Sequence, residues 1–187
     1  MNSNKPIIKQ LFIRRFLLPV IAGAALLSPG VSALWEEVDW ETLEKELEDS
    51  SLKGDFVSIR ELGLKMWLPD YMEEADLEES LQDAGYLHYY KAEGKDDTAA
   101  VSYVDLDGVT LTEYEEMVED AGGINLQEID LNGLGALTYE LKDSDLCAVS
   151  FVTEKGYVLE FLFYPVSDDA YADAVRFMTG SIMTDTP

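Results

Sequence analysis

Short apolar segments, separated by glycine, asparagine and aspartate, recur along the chain from residue 55 to residue 164. Segments of this kind with turn residues between them predict β-strands. The last segment is apolar on both faces, with Leu159 and Phe161 on one face and Leu162 on the other, which predicts a strand near the centre of a sheet. The predicted strands are residues 55–60, 64–69, 86–92, 98–104, 125–131, 134–142, 146–153 and 157–164.

Other segments have apolar residues at the three- and four-residue spacing of a helix. Asp39 can cap the first of these helices, because its carboxylate can accept a hydrogen bond from a free backbone N–H. Thr110 and Glu113 have the spacing of a capping box at the start of the third. The first helix either packs on the domain or acts as a spacer. The predicted helices are residues 35–49, 76–84 and 110–121, and a last one from near Asp168 to Gly180.

The order of these elements is strands, one helix, a run of strands and a closing helix. Strands linked by hairpins with few crossovers predict an α+β fold, in which an antiparallel β-sheet of about six or seven strands is covered by helices. The length suits a single domain behind an N-terminal segment. The predicted organisation is a signal peptide at residues 1–33, an N-terminal helix or spacer at 34–54 and one α+β domain at 55–187.

Several short strings resemble the PsbP-like and DcrB-like proteins over about residues 55–183. Segment 64–69 resembles their early strand, which ends in proline, and segment 110–121 resembles their middle helix. Segments 156–161 and 167–182 are similar to their last strand and last helix. The resemblance implies an exported, non-enzymatic α/β/α sandwich that serves in binding or assembly, and it brings no shared catalytic set. Photosynthetic members attach to a membrane complex through partly basic surfaces, whereas this chain is acidic.

The first 33 residues have the layout of an export signal. They carry all their charge as Lys5, Lys9, Arg14 and Arg15, followed by an apolar run of 12 residues at 16–27. Small residues at 31–33 predict cleavage between Ala33 and Leu34. The alternative is a retained membrane anchor, but a spanning helix needs about 20 apolar residues. We therefore expect a secreted bacterial protein, extracellular or in the periplasm or cell envelope, with no membrane span after cleavage.

The export route has two candidates. Arg14 and Arg15, followed by Phe16 and two leucines, fit the core of a twin-arginine signal, which exports folded proteins. Ile13 and Pro19 depart from that pattern. Basic residues are expected in an ordinary secretory signal, so the sequence favours the secretory route.

The chain is strongly acidic, with 38 Asp and Glu against 13 Lys and Arg and a net charge of −25. Removing the four basic residues of the signal leaves nine against 38, a net charge of −29. Such a surface repels nucleic acids and anionic lipids. It permits cationic partners or divalent metals, and it also keeps a protein soluble, so we expect a monomer whose partner is a protein or small ligand.

Few residues of the sequence can support catalysis. Cys147 is the only cysteine and lies in an apolar, strand-like run, so we expect an inert buried thiol. His88 is the only histidine, which excludes a metal site built on several histidines. We expect it to pack or to lie on the surface. The sequence contains no nucleophile elbow, phosphate-binding glycine loop or zinc-protease motif.

A calcium loop is suggested by Asp105, Asp107 and Gly108, which match three positions of an EF-hand. The first and twelfth positions would be Tyr103 and Tyr114, neither of which supplies the required carboxylate. We interpret the string as a turn. Asp105 and Asp107 remain weak candidates for a calcium site of another kind, and no other cofactor is expected.

Two functions follow from these observations. The preferred one is an exported, non-enzymatic binding or assembly accessory protein. The alternative is a small acidic hydrolase, calcium-assisted or not, because paired carboxylates support hydrolysis. A further hypothesis is an aromatic binding patch on the outer face of the sheet, although Trp67 is better explained as core. Its members would be Trp67, Tyr71, Tyr86, Tyr89 and Tyr90.

Overall fold

The computed structural model describes residues 39–141 and 144–185. The signal segment and the Ala33–Leu34 cleavage site lie outside the described residues. The helices are α1 (Trp40–Asp49), α2 (Glu79–Asp83), α3 (Leu111–Asp120) and α4 (Asp169–Gly180), with a 3-10 turn at Arg60–Leu62. The strands are β1 (Gly54–Ile59), β2 (Leu64–Pro69), β3 (Met72–Glu74), β4 (Tyr86–Ala92), β5 (Thr98–Asp105), β6 (Gly123–Leu131), β7 (Leu134–Leu141), β8 (Leu146–Val152), β9 (Tyr157–Tyr164) and β10 (Met183–Thr184).

Seven strands form the main sheet, in the order β3-β4-β5-β9-β8-β7-β6, and all neighbours are antiparallel. The predicted α+β fold is confirmed. Strand β9 lies fourth of the seven, which confirms the central position predicted from its two apolar faces. Hairpins connect most of the neighbouring strands, and α3 lies in the connection that carries the chain from β5 to the edge strand β6.

Strands β1 and β2 belong to a second sheet, which the sequence did not predict. They pair antiparallel, with Val57 opposite Met66. The last strand, β10, pairs with the other side of β2 and places Met183 opposite Lys65. The chain's predicted strand at 55–60 ends one residue early, because Arg60 begins the 3-10 turn that Gly63 closes at φ 62°. Strands β3 and β10 were not predicted either.

The larger core lies between one face of the main sheet and a layer made of α1, α4 and the small sheet. Val101, Phe161 and Phe163 of the main sheet are at most 1% exposed. They belong to one cluster with Met178 of α4 and Met66 of β2. Burying an aliphatic or aromatic side chain contributes about 1.5–3 kcal/mol each, so this layer supplies much of the hydrophobic stabilisation.

A second core lies on the opposite face of the main sheet, beneath α3. The capping box predicted for α3 is present: Thr110 Oγ1 accepts from the Glu113 backbone N–H at 3.3 Å, and Glu113 Oε2 accepts from the Thr110 N–H at 3.1 Å. Tyr114 and Val118 of α3 are fully buried against the sheet. Helices therefore cover both faces of the sheet.

Helix α1 packs on the domain, which decides between the two alternatives for this segment. Asp39 caps it as predicted, with its carboxylate accepting from the Thr42 N–H at 2.9 Å. Leu43 is 2% exposed and packs against Gly180 of α4. A Cβ added at Gly180 would collide with the leucine side chain, so the glycine allows the two helices to approach closely. An ion pair of 2.6 Å between Arg176 Nη1 and Glu46 Oε2 joins the same two helices. No helix in the described part of the chain is long and apolar enough to cross a membrane.

Candidate functional site

Asp105 and Asp107, the candidate calcium ligands, lie in the turn after β5. Asp105 Oδ1 accepts a hydrogen bond from the Asp107 backbone N–H at 2.9 Å, and Asp107 has φ 57°. This is the geometry of an Asx turn, as the sequence indicated. Across residues 39–141 and 144–185, no group of three or more His, Cys, Asp or Glu side chains is placed to hold a metal ion. Calcium binding at this turn stays a prediction.

His88 lies between two glutamates from different parts of the fold. Its Nδ1 is 2.7 Å from Glu74 Oε1 on β3, and its Nε2 is 3.2 Å from Glu61 Oε2 on the 3-10 turn. Tyr90 stacks on the ring at a centroid distance of 6.0 Å. The pKa of the Glu61 carboxyl is lowered, chiefly by a hydrogen bond from its own backbone N–H and next by the hydrogen bond with His88. The histidine therefore links the small sheet to the edge of the main sheet.

Cys147 is fully buried in β8, which confirms the prediction from its apolar neighbours. Burial, followed by the charges of Glu140 and Asp145, raises the pKa of the thiol well above its ordinary value. Because the thiolate is the nucleophilic form, both the burial and the raised pKa disfavour nucleophilic reaction at this cysteine.

Glu160, on the central strand β9, is buried at 2% exposure beneath α3. Its Oε1 accepts hydrogen bonds from the hydroxyls of Tyr114 and Tyr139, the second at 2.7 Å. Its Oε2 accepts from Ser102 Oγ at 3.2 Å. Burial and the nearby Glu160 charge raise the pKa of both tyrosines well above the ordinary value. The carboxylate thus joins α3 to three strands of the sheet, and sequence reasoning missed it.

The aromatic residues proposed as an outer patch are divided between the two faces of the main sheet. Trp67 is 3% exposed in the larger core, which confirms that it is core, and Tyr90 is buried there too. Tyr86 and Tyr89 pack against the second core instead. Burial excludes Trp67 and Tyr90 from an exposed patch, whereas Tyr71, Tyr86 and Tyr89 are only partly buried. Tyr71 lies beside a second group of ionisable residues, separate from the one around His88 and Tyr90.

That group forms where three turns meet at one end of the main sheet. Tyr71 lies in the turn between β2 and β3, next to Met72, which pairs with Ala92 at the end of β4. Asp97 closes the following hairpin, where its carbonyl accepts from the Ala92 N–H at 3.0 Å. Asp168 arrives with the start of α4, where it is the N-cap. Strand pairing and helix capping therefore fix the positions of these side chains.

Asp97 is buried although it lies in a hairpin turn. It is 4% exposed, and its Oδ2 is the one buried side-chain oxygen or nitrogen within the described ranges that has no hydrogen-bond partner. The Lys95 Nζ is 3.6 Å from this oxygen, which makes an ion pair but is too long for a hydrogen bond. Lys95 Nζ also lies 5.2 Å from the centroid of the Tyr71 ring.

The pKa values of this group reflect burial and crowded negative charge. Burial raises the pKa of Asp97, Lys95 opposes the rise, and Asp168 and Asp96 add to it. Burial, followed by the charges of Asp97 and Asp168, raises the pKa of Tyr71 to about 12. The phenol is therefore neutral at physiological pH and offers its ring face to a cation. We refer to Tyr71, Asp97 and Asp168 as the hairpin site.

Comparison with solved structures identifies the fold. The chain matches no protein-family profile and no curated protein sequence. It is similar to the crystal structure of the Ran-binding protein Mog1p from Saccharomyces cerevisiae, with 9% identity, coverage of 72% of this chain and 97% of that one, and a TM-score of 0.41. It is similar to the solution structure of cyanobacterial PsbP (CyanoP) from Synechocystis sp. PCC 6803, with 15% identity, coverage of 70% and 92%, and a TM-score of 0.51. The chain therefore has a PsbP-like fold.

Proposed function

We propose that this chain is an exported, non-enzymatic binding or assembly accessory protein. The observation that carries the proposal is the hairpin site, where Asp97 Oδ2 is buried without a hydrogen-bond donor. Leaving a buried polar atom without a hydrogen bond costs about 1–3 kcal/mol, so we explain the unsatisfied oxygen of Asp97, which Lys95 reaches only as an ion pair, by a ligand that completes it.

The residues with catalytic chemistry support the same proposal. Cys147 is a buried thiol with a raised pKa. His88 is held between two glutamates. Glu160 is enclosed by hydroxyl groups in the second core. Each is engaged in contacts that hold elements of the fold together. The PsbP-like fold is compatible with this function but names no ligand.

Export rests on the sequence of residues 1–33 and has a direct test. N-terminal sequencing of the protein from culture fluid or envelope should begin at Leu34. A protein that begins at Met1 and stays in the membrane fraction would contradict the proposed processing.

Binding is tested by capturing partners from the producing cell's own envelope fraction with the purified protein. We expect a partner that forms a stoichiometric complex on size exclusion and is released by salt, because the surface is strongly acidic. The hydrolase alternative is tested on peptide, ester, glycoside and phosphate-ester substrates with and without calcium. Turnover that calcium stimulates and that Asp105→Asn or Asp107→Asn abolishes would overturn the proposal.

A further inference from the structure

The ammonium group of Lys95 lies between two groups that both attract cations. Its Nζ is 3.6 Å from Asp97 Oδ2 and 5.2 Å from the Tyr71 ring centroid. The second distance is within the range of a cation–π contact. Carboxylate and aromatic face therefore converge on the position of one ammonium group.

Lys95 fills this position incompletely. The side chain of Asp97 is 5% exposed, whereas that of Lys95 is 55% exposed. A charge-assisted hydrogen bond between an ammonium and a carboxylate is about 2.7–2.9 Å long, so the lysine stops short of contact. Lys95 and Asp97 belong to the same tight hairpin, between Lys91 and Thr98, which pair with each other. This short loop restrains the lysine, whereas the ammonium group of an external ligand carries no such tether.

We infer that the hairpin site recognises a primary ammonium group, and that Lys95 occupies the site when the ligand is absent. Tyr71 supplies the ring face, Asp97 the hydrogen-bonding carboxylate, and Asp168 additional negative potential. The inference rests on the proposed function and gives that function a site and a ligand class. The ammonium is carried either by a small free amine or by a lysine side chain of a partner protein.

The donor set separates an ammonium from other cations. Calcium takes six to eight oxygen ligands, and no cluster of metal-holding side chains occurs in the described ranges. A guanidinium is a planar fork that suits two carboxylate oxygens at once, whereas an ammonium is a compact point charge. One unsatisfied oxygen beside a ring face fits the point charge.

The test compares amine binding to the wild type, Lys95→Ala and Lys65→Ala by NMR titration at low ionic strength in phosphate buffer. Lys65 is the matched control, because its Nζ also lies over an aromatic ring, Phe56, at 4.9 Å. Both variants change the net charge equally. The probes are 1,5-diaminopentane and a short lysine-containing peptide.

We expect Lys95→Ala to bind 1,5-diaminopentane about tenfold more tightly than the wild type, if Lys95 occupies the site nine-tenths of the time. Lys65→Ala should bind like the wild type apart from a small general gain. The double variant Lys95→Ala/Asp97→Asn should lose the gain, and shifts should centre on Tyr71 and Asp97. Peptide binding that also depends on Asp97 would assign the ammonium to a partner's lysine, and diamine binding alone would assign it to a small amine.

Equal affinity of Lys95→Ala and Lys65→Ala, or unchanged binding after Asp97→Asn, would overturn the inference. The double variant should fold, since the raised pKa of Asp97 means that its ionised form is disfavoured in the folded state. A second double variant, Lys95→Ala/Tyr71→Leu, leaves the carboxylate in place. It should also lose the gain in diamine affinity that Lys95→Ala shows. If a partner is captured equally well by the wild type and by Asp97→Asn, the hairpin site is not where that partner binds, and the proposed binding function still holds.

Discussion

Glu160 shows how a single charged residue is accommodated in an apolar interior. Ionised carboxylates are costly to bury unless they are hydrogen-bonded. Three hydroxyl groups meet the two oxygens of Glu160. Hydrogen bonds to charged groups contribute about 1.5–3 kcal/mol, compared with about 0.5–1.5 kcal/mol for neutral pairs.

Tyr139→Phe should therefore destabilise the protein by about 1.5–3 kcal/mol, because it removes a hydrogen bond to a carboxylate. Tyr171→Phe is the matched control: Tyr171 is also buried, but its hydroxyl donates to the neutral Thr98 carbonyl at 2.5 Å. Urea unfolding of both variants measures the difference. A loss for Tyr139→Phe no larger than that for Tyr171→Phe would contradict this account of Glu160.

The two buried carboxylates, Glu160 and Asp97, differ in how well the sequence indicates their burial. Glu160 interrupts a strand that is apolar on both faces, and that interruption is a signal of a buried polar contact. Asp97 follows Gly94, Lys95 and Asp96 and looks like any hairpin residue. In the fold it lies near Tyr71 and Asp168, which are far from it along the chain. The local pattern therefore contains a signal for Glu160, although it went unrecognised, and contains none for Asp97.

At the level of elements, the β8–β9 turn is packed directly on the loop that follows β5. Gly156 has φ 80°, and a Cβ there would collide with the backbone of Gly108 and Val109. The Leu106 N–H donates to the Gly156 carbonyl at 3.1 Å. This contact fixes the connection that carries the chain into α3.

Gly156→Ala should destabilise the protein by about 3 kcal/mol, from about 1–2 kcal/mol of left-handed strain and about 1–3 kcal/mol of overpacking. Gly133→Ala isolates the strain, because Gly133 has φ 83° but nothing within 4 Å of the added Cβ. Thermal unfolding of the two variants should show the larger loss at Gly156. Equal losses would mean that the loop moves away freely.

The link through His88 predicts a measurable change at Glu61. His88→Gln should raise the pKa of Glu61 towards its ordinary value of 4.5, and only in part, because the hydrogen bond from its own backbone remains. A lowered carboxylate pKa contributes stability that is present above the ordinary pKa and is lost as the pH falls through the folded one. The variant should therefore lose stability at pH 7 and less at pH 3. Carbon-detected NMR titration of Glu61 gives the pKa, and an unchanged value would exclude the histidine contact.

Strong periodicity predicted most elements well. Seven strands lie within a residue of their predicted bounds, namely β1, β2, β4, β5, β7, β8 and β9, and three of them, β2, β4 and β9, match at both ends. Strands β3 and β10 were missed because segments of three and two residues carry no period of their own. They become strands only because β4 and β2 offer them unpaired backbone groups. The division into two sheets likewise depends on contacts between distant segments.

For the whole molecule, the excess of negative charge is the dominant electrostatic feature. A net charge far from zero destabilises the compact state through self-repulsion. Salt screens this repulsion, with a Debye length of about 10 Å at 0.1 M. The candidate ammonium site lies within this negative field, which would speed the approach of a cationic ligand.

Raising NaCl from 20 mM to 500 mM should raise the Tm by on the order of 3 °C, which is about 1 kcal/mol for a domain of this size. Most of the rise should occur below about 0.1 M, because screening is steepest there. Calorimetry across a salt series distinguishes this curve from the straight line of a general salt effect. A Tm that falls with salt would show that attractive ion pairs outweigh the repulsion.

The small sheet has a consequence for the timing of biosynthesis. Strand β2 is completed by residues that are made much later, since Ser181 follows Trp67 by 114 positions. Ser181 Oγ accepts from the Trp67 N–H at 2.7 Å, and Asp185 donates its N–H to the Gly63 carbonyl at 2.8 Å. While residues 181–185 are still inside the ribosome, the nascent chain cannot complete the small sheet. A chain ending at Gly180 should be cut by trypsin at Lys65, whereas one ending at Asp185 should resist; equal resistance would contradict this order of events.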